Sequence, residues 1–109
     1  MQTKAILPQV IDWNRHPGEK IAGERGYYIV KSFSENGNNF KVVDYSPNYV
    51  SDAWCLRGHF VYVIEGIVTV EHSDNSSYEL EPNSSYIVGN DTMPHRISSE
   101  SGAKVLIVD

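Results

Sequence analysis

Cysteine is almost missing from this chain of 109 residues: Cys55 is the only one. An intrachain disulfide is therefore excluded, and a reducing setting is expected. Long apolar runs are missing too. The longest, residues 60–64, falls far short of the roughly 20 residues needed to span a bilayer. The stretch 1–10 is too short for a signal-peptide core and is broken by Pro8, so the expected location is cytoplasmic. Basic clusters are absent. With a formal net charge of −5 and no run of Lys and Arg, neither nucleic acid nor a membrane surface is an expected partner. There is no glycine-rich phosphate loop, no paired-carboxylate signature and no Ser-His-Asp order, which argues against nucleotide chemistry and nucleophilic hydrolysis. No window sustains a helical period.

What is present is strand signal. The 40% hydrophobic content suits a globular chain, and the length suits one domain, 1–109, rather than two. Aromatic and β-branched residues crowd 27–33 and 40–45, with Asn36-Gly37 between them. Asn-Gly is the strongest short hairpin signal, and the spacing predicts a hairpin with a loop longer than two residues. Residues 60–64 are apolar at every position, the pattern of a strand buried on both faces or lining a pocket on one. Further strands are expected at 67–72, 78–80, 85–88, 95–97 and 104–108, separated by polar turns. Residues 1–25 read as an N-terminal arm or edge segment, with a short helical turn or edge strand near 9–16. Many short strands with regular turns indicate an all-β sandwich or barrel.

One constellation carries chemistry. If residues 52–59 are extended, Cys55 and His59 share a face with Val61 and Val63. His95 is distant in sequence but lies on a strand that would close the same sheet. Thiolate and imidazole both bind zinc, iron, nickel or copper, and three such ligands with an open position suit a catalytic site better than a sealed structural one. The ordinary alternative is that Cys55 is a small hydrophobe and that the histidines pack or cap.

The stretch Val61-Tyr62-Val63-Ile64-Glu65-Gly66-Ile67-Val68-Thr69-Val70 resembles the central hairpin of the cupins. Residues 80–88, followed by Met93-Pro94-His95, resemble their second motif. More narrowly, the chain is similar to the small single-domain cupins with a DHCW motif. The resemblance implies a jelly-roll β-barrel. Counting back from Gly66, it sets His59 at the position of the first motif's Glu ligand, Cys55 at its second His and Ala53 at its first. His95 falls on the second-motif His. Two departures stand out. Ala53 removes an expected ligand, and Asn83 replaces a turn glycine, which Asn tolerates because it can enter the left-handed region.

Neighbouring residues have plainer readings. Asp52 could orient a ligand His or cap a turn. Tyr62 and Tyr86 could tip into a pocket or pack in the barrel, and Trp54 reads as a core or interface aromatic. Arg57 could meet an anionic substrate or lie in solvent at the barrel mouth. Glu65 shares the parity of the pocket residues but reads as a solvated turn residue, and His16 and His72 read as surface residues. No catalytic residue is assigned. Three functional readings follow: a cupin holding one divalent metal on Cys55, His59 and His95 and acting on a small molecule; a cupin that has lost its metal and serves as a ligand-binding or regulatory module; and a redox-responsive protein using Cys55. Dioxygenase and isomerase chemistries both occur on this fold, so the resemblance implies no single reaction. A homodimer is expected, because Ile6, Leu7, Val10, Ile11 and Trp13 need cover.

Overall fold

Strands with alternating burial dominate the computed structural model, which describes residues 5–109. Residues 1–4 of the arm lie outside that range. Among the described residues ten strands form two antiparallel sheets. In chain order they are β1 Glu19–Ala22, β2 Tyr27–Glu35, β3 Asn38–Tyr45, β4 Tyr49–Val50, β5 His59–Gly66, β6 Val68–His72, β7 Ser77–Leu80, β8 Ser85–Val88, β9 His95–Ser99 and β10 Ala103–Val108. The larger sheet runs β1-β2-β3-β10-β5-β8 and the smaller β4-β9-β6-β7. The all-β jelly-roll expectation is met. The arm holds one 3-10 turn, Trp13–Arg15, capped by the Asp12 side chain, which accepts from the Asn14 N–H at 3.1 Å. Among the described residues there is no α-helix, and no helix is long and apolar enough to cross a membrane.

The core forms where the inward positions of the two sheets meet. Val43, Val61, Val63, Val105 and Ile107 come from the large sheet, and Val68, Val70 and Leu80 from the small one. Period-two alternation places them there, since successive side chains leave a strand on opposite faces. Of the two arrangements expected of residues 60–64, burial on both faces does not occur: Val61 and Val63 are buried, while Phe60, which lines a cavity on the outer face, and Ile64 are exposed. A β-bulge explains the far end of this strand. The register against β10 shifts between Lys104 and Val105, which skips Ile64, so Ile64 and Glu65 both reach solvent. The parity that aligned Glu65 with the pocket is thereby broken, and its solvated reading holds.

Turn chemistry follows the sequence closely. Asn36 and Gly37 both have positive φ, 50° and 78°, and Glu35 pairs with Asn38. The loop is thus the minimal two residues, shorter than predicted, because β-pairing extends to both flanks of Asn-Gly. Asn83 adopts φ 69°, the left-handed conformation its substitution for glycine requires. Gly66 is under a harder constraint. Its φ is +75°, and an added Cβ would lie 2.2 Å from the Gly102 carbonyl oxygen. We expect Gly37→Ala, with open space around it, to cost about 1–2 kcal/mol of stability for the left-handed backbone alone. Gly66→Ala should cost clearly more, because the backbone of the β10 entry must also move. Urea unfolding of the two variants checks the order, and equal midpoints would contradict it.

Candidate metal centre

Cys55 reaches the site through a backbone pairing. Residues 51–58 do not form the continuous strand that the parity argument assumed. Instead Cys55 and His95 make an isolated antiparallel bridge and exchange both hydrogen bonds, Cys55 N–H to the His95 carbonyl at 2.7 Å and the reverse at 3.0 Å. Directly opposed residues of such a pair put their side chains on one face. His59 opens β5, four residues further on, and its Nε2 lies 3.2 Å from Cys55 Sγ. One donor atom from each of Cys55, His59 and His95 lies within 4.8 Å of the other two. The His59 and His95 rings meet edge to face at 5.2 Å.

The hydrogen bonds around the two imidazoles decide which nitrogen is left for the site. His95 Nδ1 lies 2.9 Å from the Met93 carbonyl oxygen, which can only accept, so Nδ1 carries the proton and Nε2 the lone pair. That Nε2 is buried without a partner. His59 Nδ1 faces Asp109 Oδ2 at 3.1 Å, and the same reasoning leaves its Nε2 lone pair facing Cys55. Leaving a buried acceptor unpaired costs about 1–3 kcal/mol. A ring nitrogen fixed by a carboxylate or carbonyl, with the other turned to a Cys/His cluster, is the arrangement that supports metal ligation. The donor set therefore fits a divalent metal.

Asp109 is the group the sequence reading missed. Its side chain is 3% exposed, and Lys41 Nζ at 3.4 Å and Arg57 at 3.7 Å share it with His59. Burial alone would raise its pKa. Lys41, a hydrogen bond from Asn39, Arg57 and the His59 hydrogen bond outweigh burial and hold the carboxyl below its usual 3.8. No spacing rule ties residue 109 to residue 59. The link is made only by β10 lying between β3 and β5.

The remaining expectations resolve individually. Asp52 is exposed and touches no ligand, so the carboxylate role passes to Asp109. Arg57 is exposed on its side chain and lines a second, more open cavity of about 650 Å³, whose wall includes His59 and Asp109. Tyr86 packs on the core, and its hydroxyl lies 2.6 Å from His72 Nε2. That contact, with Ser76 at Nδ1, makes His72 a half-buried residue rather than the surface residue expected: it sits opposite His95 in the β6–β9 pair and faces inward with it. His16 is likewise half-buried, packed between Trp13 and Phe33. Tyr62 lies on the outer face and donates to Asn83 Oδ1. Trp54 is 44% exposed and carries the Arg96 guanidinium over its ring at 4.7 Å, a cation–π contact in place of a core position.

No family model and no curated protein matches the chain. Solved structures do. A predicted oxalate decarboxylase from Thermotoga maritima is 11% identical with a TM-score of 0.79, over 92% of this chain and 96% of that one. A cupin superfamily protein from Desulfitobacterium hafniense is 11% identical with a TM-score of 0.66, over 74% of each. This chain has the cupin fold. A third cupin-fold match, HppE in its Fe(II) form with an alternative substrate, is 18% identical with a TM-score of 0.75. It covers 96% of this chain, which spans 60% of HppE's length. At these identities the likeness carries the fold alone.

Protonation should register in stability. Burial pushes His59 below its usual 6.5, with His95 and Lys41 adding to the shift and Asp109 opposing it. Below 6.5 the unfolded chain takes up this proton before the native one, so stability is lost as pH falls through the lowered native value. Asp109 acts further down, contributing stability above 3.8 that is lost as pH falls through its own depressed value. The urea midpoint of metal-free protein should decline below pH 6.5, and His59→Gln should flatten that part of the slope. A midpoint constant from about pH 7 to 5 would contradict the buried neutral imidazole.

Proposed function

We propose that the protein is a small metal-dependent cupin in which Cys55, His59 and His95 hold one divalent ion, zinc, iron, nickel or copper, beside a small-molecule cavity. The observation that carries this reading is the buried, unpartnered Nε2 of His95, in a cluster where one donor atom from each of Cys55, His59 and His95 lies within 4.8 Å of the others. The Fe(II) in the HppE neighbour supports it by analogy of fold. Three protein ligands leave a coordination position open, and a metal there would act as a Lewis acid or bind a substrate oxygen. The chain's own contribution is orientation. Met93 and Asp109 hold the two imidazoles in the tautomers that ligation needs, and the Cys55–His95 backbone pair fixes the thiol beside them. A small-molecule partner is the matching expectation, and the site lies on the wall of an interior cavity of about 340 Å³.

One observation favours a second reading. Ala53, where cupins carry a further ligand, is exposed and supplies no donor atom, as expected of a ligand-binding module without metal. Elemental analysis of tag-free protein separates the two. The first reading expects about one metal per chain, lost in Cys55→Ala and in His95→Ala. Protein that stays metal-free after incubation with zinc, iron, nickel and copper ions would overturn it. Asp109→Asn should weaken zinc affinity about 10–100-fold, the usual effect of removing an orienting partner; unchanged affinity would mean that Asp109 does not act through His59.

Pairing of two copies remains part of the proposal, supported by Leu7 and Val10, which are 74% and 94% exposed on the arm. Light scattering at micromolar concentration should report twice the 12.3 kDa chain mass, and a monomer would reject it.

A further inference from the structure

The cavity beside the three donors has a charge character unlike that of the whole molecule. The chain carries 14 acidic and 9 basic residues, yet the cavity is lined by Lys41 and Arg96 and by no carboxylate. Arg96 is already neutralised by Glu71, at 2.9 and 3.4 Å. Lys41 is different. It occupies an inward position of β3, in phase with buried Val43 and Tyr45, and its side chain is only 28% exposed. Among the described residues its partner is Asp109, at 3.4 Å and shared with Arg57 and His59, and an ammonium has three donors to offer. Ser32, its cross-strand neighbour on β2, lines the same cavity. An inward lysine is costly unless charge meets it, and here one carboxylate, Asp109, is divided between two cations, Lys41 and Arg57.

Further along the same cavity the lining turns aromatic. Tyr28, Tyr45 and Tyr49 pack together with ring centroids 4.8–5.9 Å apart. Such a wall accepts a flat apolar body by edge or offset contact. At about 340 Å³ the space lies at the small end of ligand pockets, enough for a single ring with a short arm.

We propose that this cavity takes a small monocarboxylate with a ring-sized apolar body, its carboxylate on Lys41 and Ser32 and its body on the three tyrosines. The inference rests on the reading of this cavity as the protein's small-molecule site and deepens it to a ligand class. Cys55, His59 and His95 line the same cavity.

Zinc-free protein tests this, since no metal can then stand in for Lys41. Phenylacetate, benzyl alcohol and benzylamine are titrated by NMR, with zinc stoichiometry measured on the same wild-type preparation. Phenylacetate should bind about tenfold or more tightly than either of the others, as a charge-assisted hydrogen bond implies. Lys41→Met should remove that preference and Lys41→Arg should keep it. Equal binding of the three probes, no binding of phenylacetate, or a preference intact in Lys41→Met overturns the proposal. Should Lys41→Met fail to fold, the wild-type comparison of the three probes still decides. Zinc bound at one per chain without the phenylacetate preference sinks the ligand class and leaves the metal reading standing. The preference without zinc binding does the reverse.

Discussion

The backbone pair between Cys55 and His95 holds the site together. β5 belongs to the large sheet and β9 to the small one, and the chain entering β5 is tied to β9 through two hydrogen bonds at that pair. The two sheets are thereby joined at one end of the sandwich. A thiol, an imidazole from each sheet and a cavity between them are brought within one small volume as a consequence. Side chains set the chemistry, but main-chain geometry sets the distance.

Asp109 supplies the electrical counterpart. A nearly buried carboxylate is tolerable only among cations and donors, and Lys41, Arg57 and His59 surround it. It lines the outer cavity and pairs with Lys41 of the interior one, which links two surfaces that differ in character. Inside are tyrosines and Lys41. Outside are Arg57, Phe60 and Ile87. One carboxylate thus serves as hydrogen-bond acceptor for a candidate ligand residue and as counter-ion for the cation that faces the cavity.

Much of the fold was legible because its signals are local. Asn-Gly needs positive φ at two adjacent positions, Asn83 needs it at one, and alternation of Val61, Val63, Val68 and Val70 reports an inward face without knowledge of the partner strand. Where local rules failed, long-range contacts had intervened. The bulge at Ile64 belongs to the pairing with β10 and leaves no trace in the residues nearby. The inward set of His72 continues the alternation of Val68 and Val70, and its pairing with His95 completes it. The exposed outer face of residues 60–64 was equally hidden, since an apolar run looks the same whether one face or both are covered.

The sequence by itself determined an all-β chain, its turns, and the residue types able to hold a metal, because propensity, periodicity and ligand chemistry are properties of short segments. Only the tertiary structure decided that Cys55 meets His95 through the backbone, that Asp109 rather than Asp52 orients His59, and that Lys41 faces the same cavity. The first two join residues 40 and 50 positions apart, and at such separations it is strand order, not spacing, that sets which side chains touch.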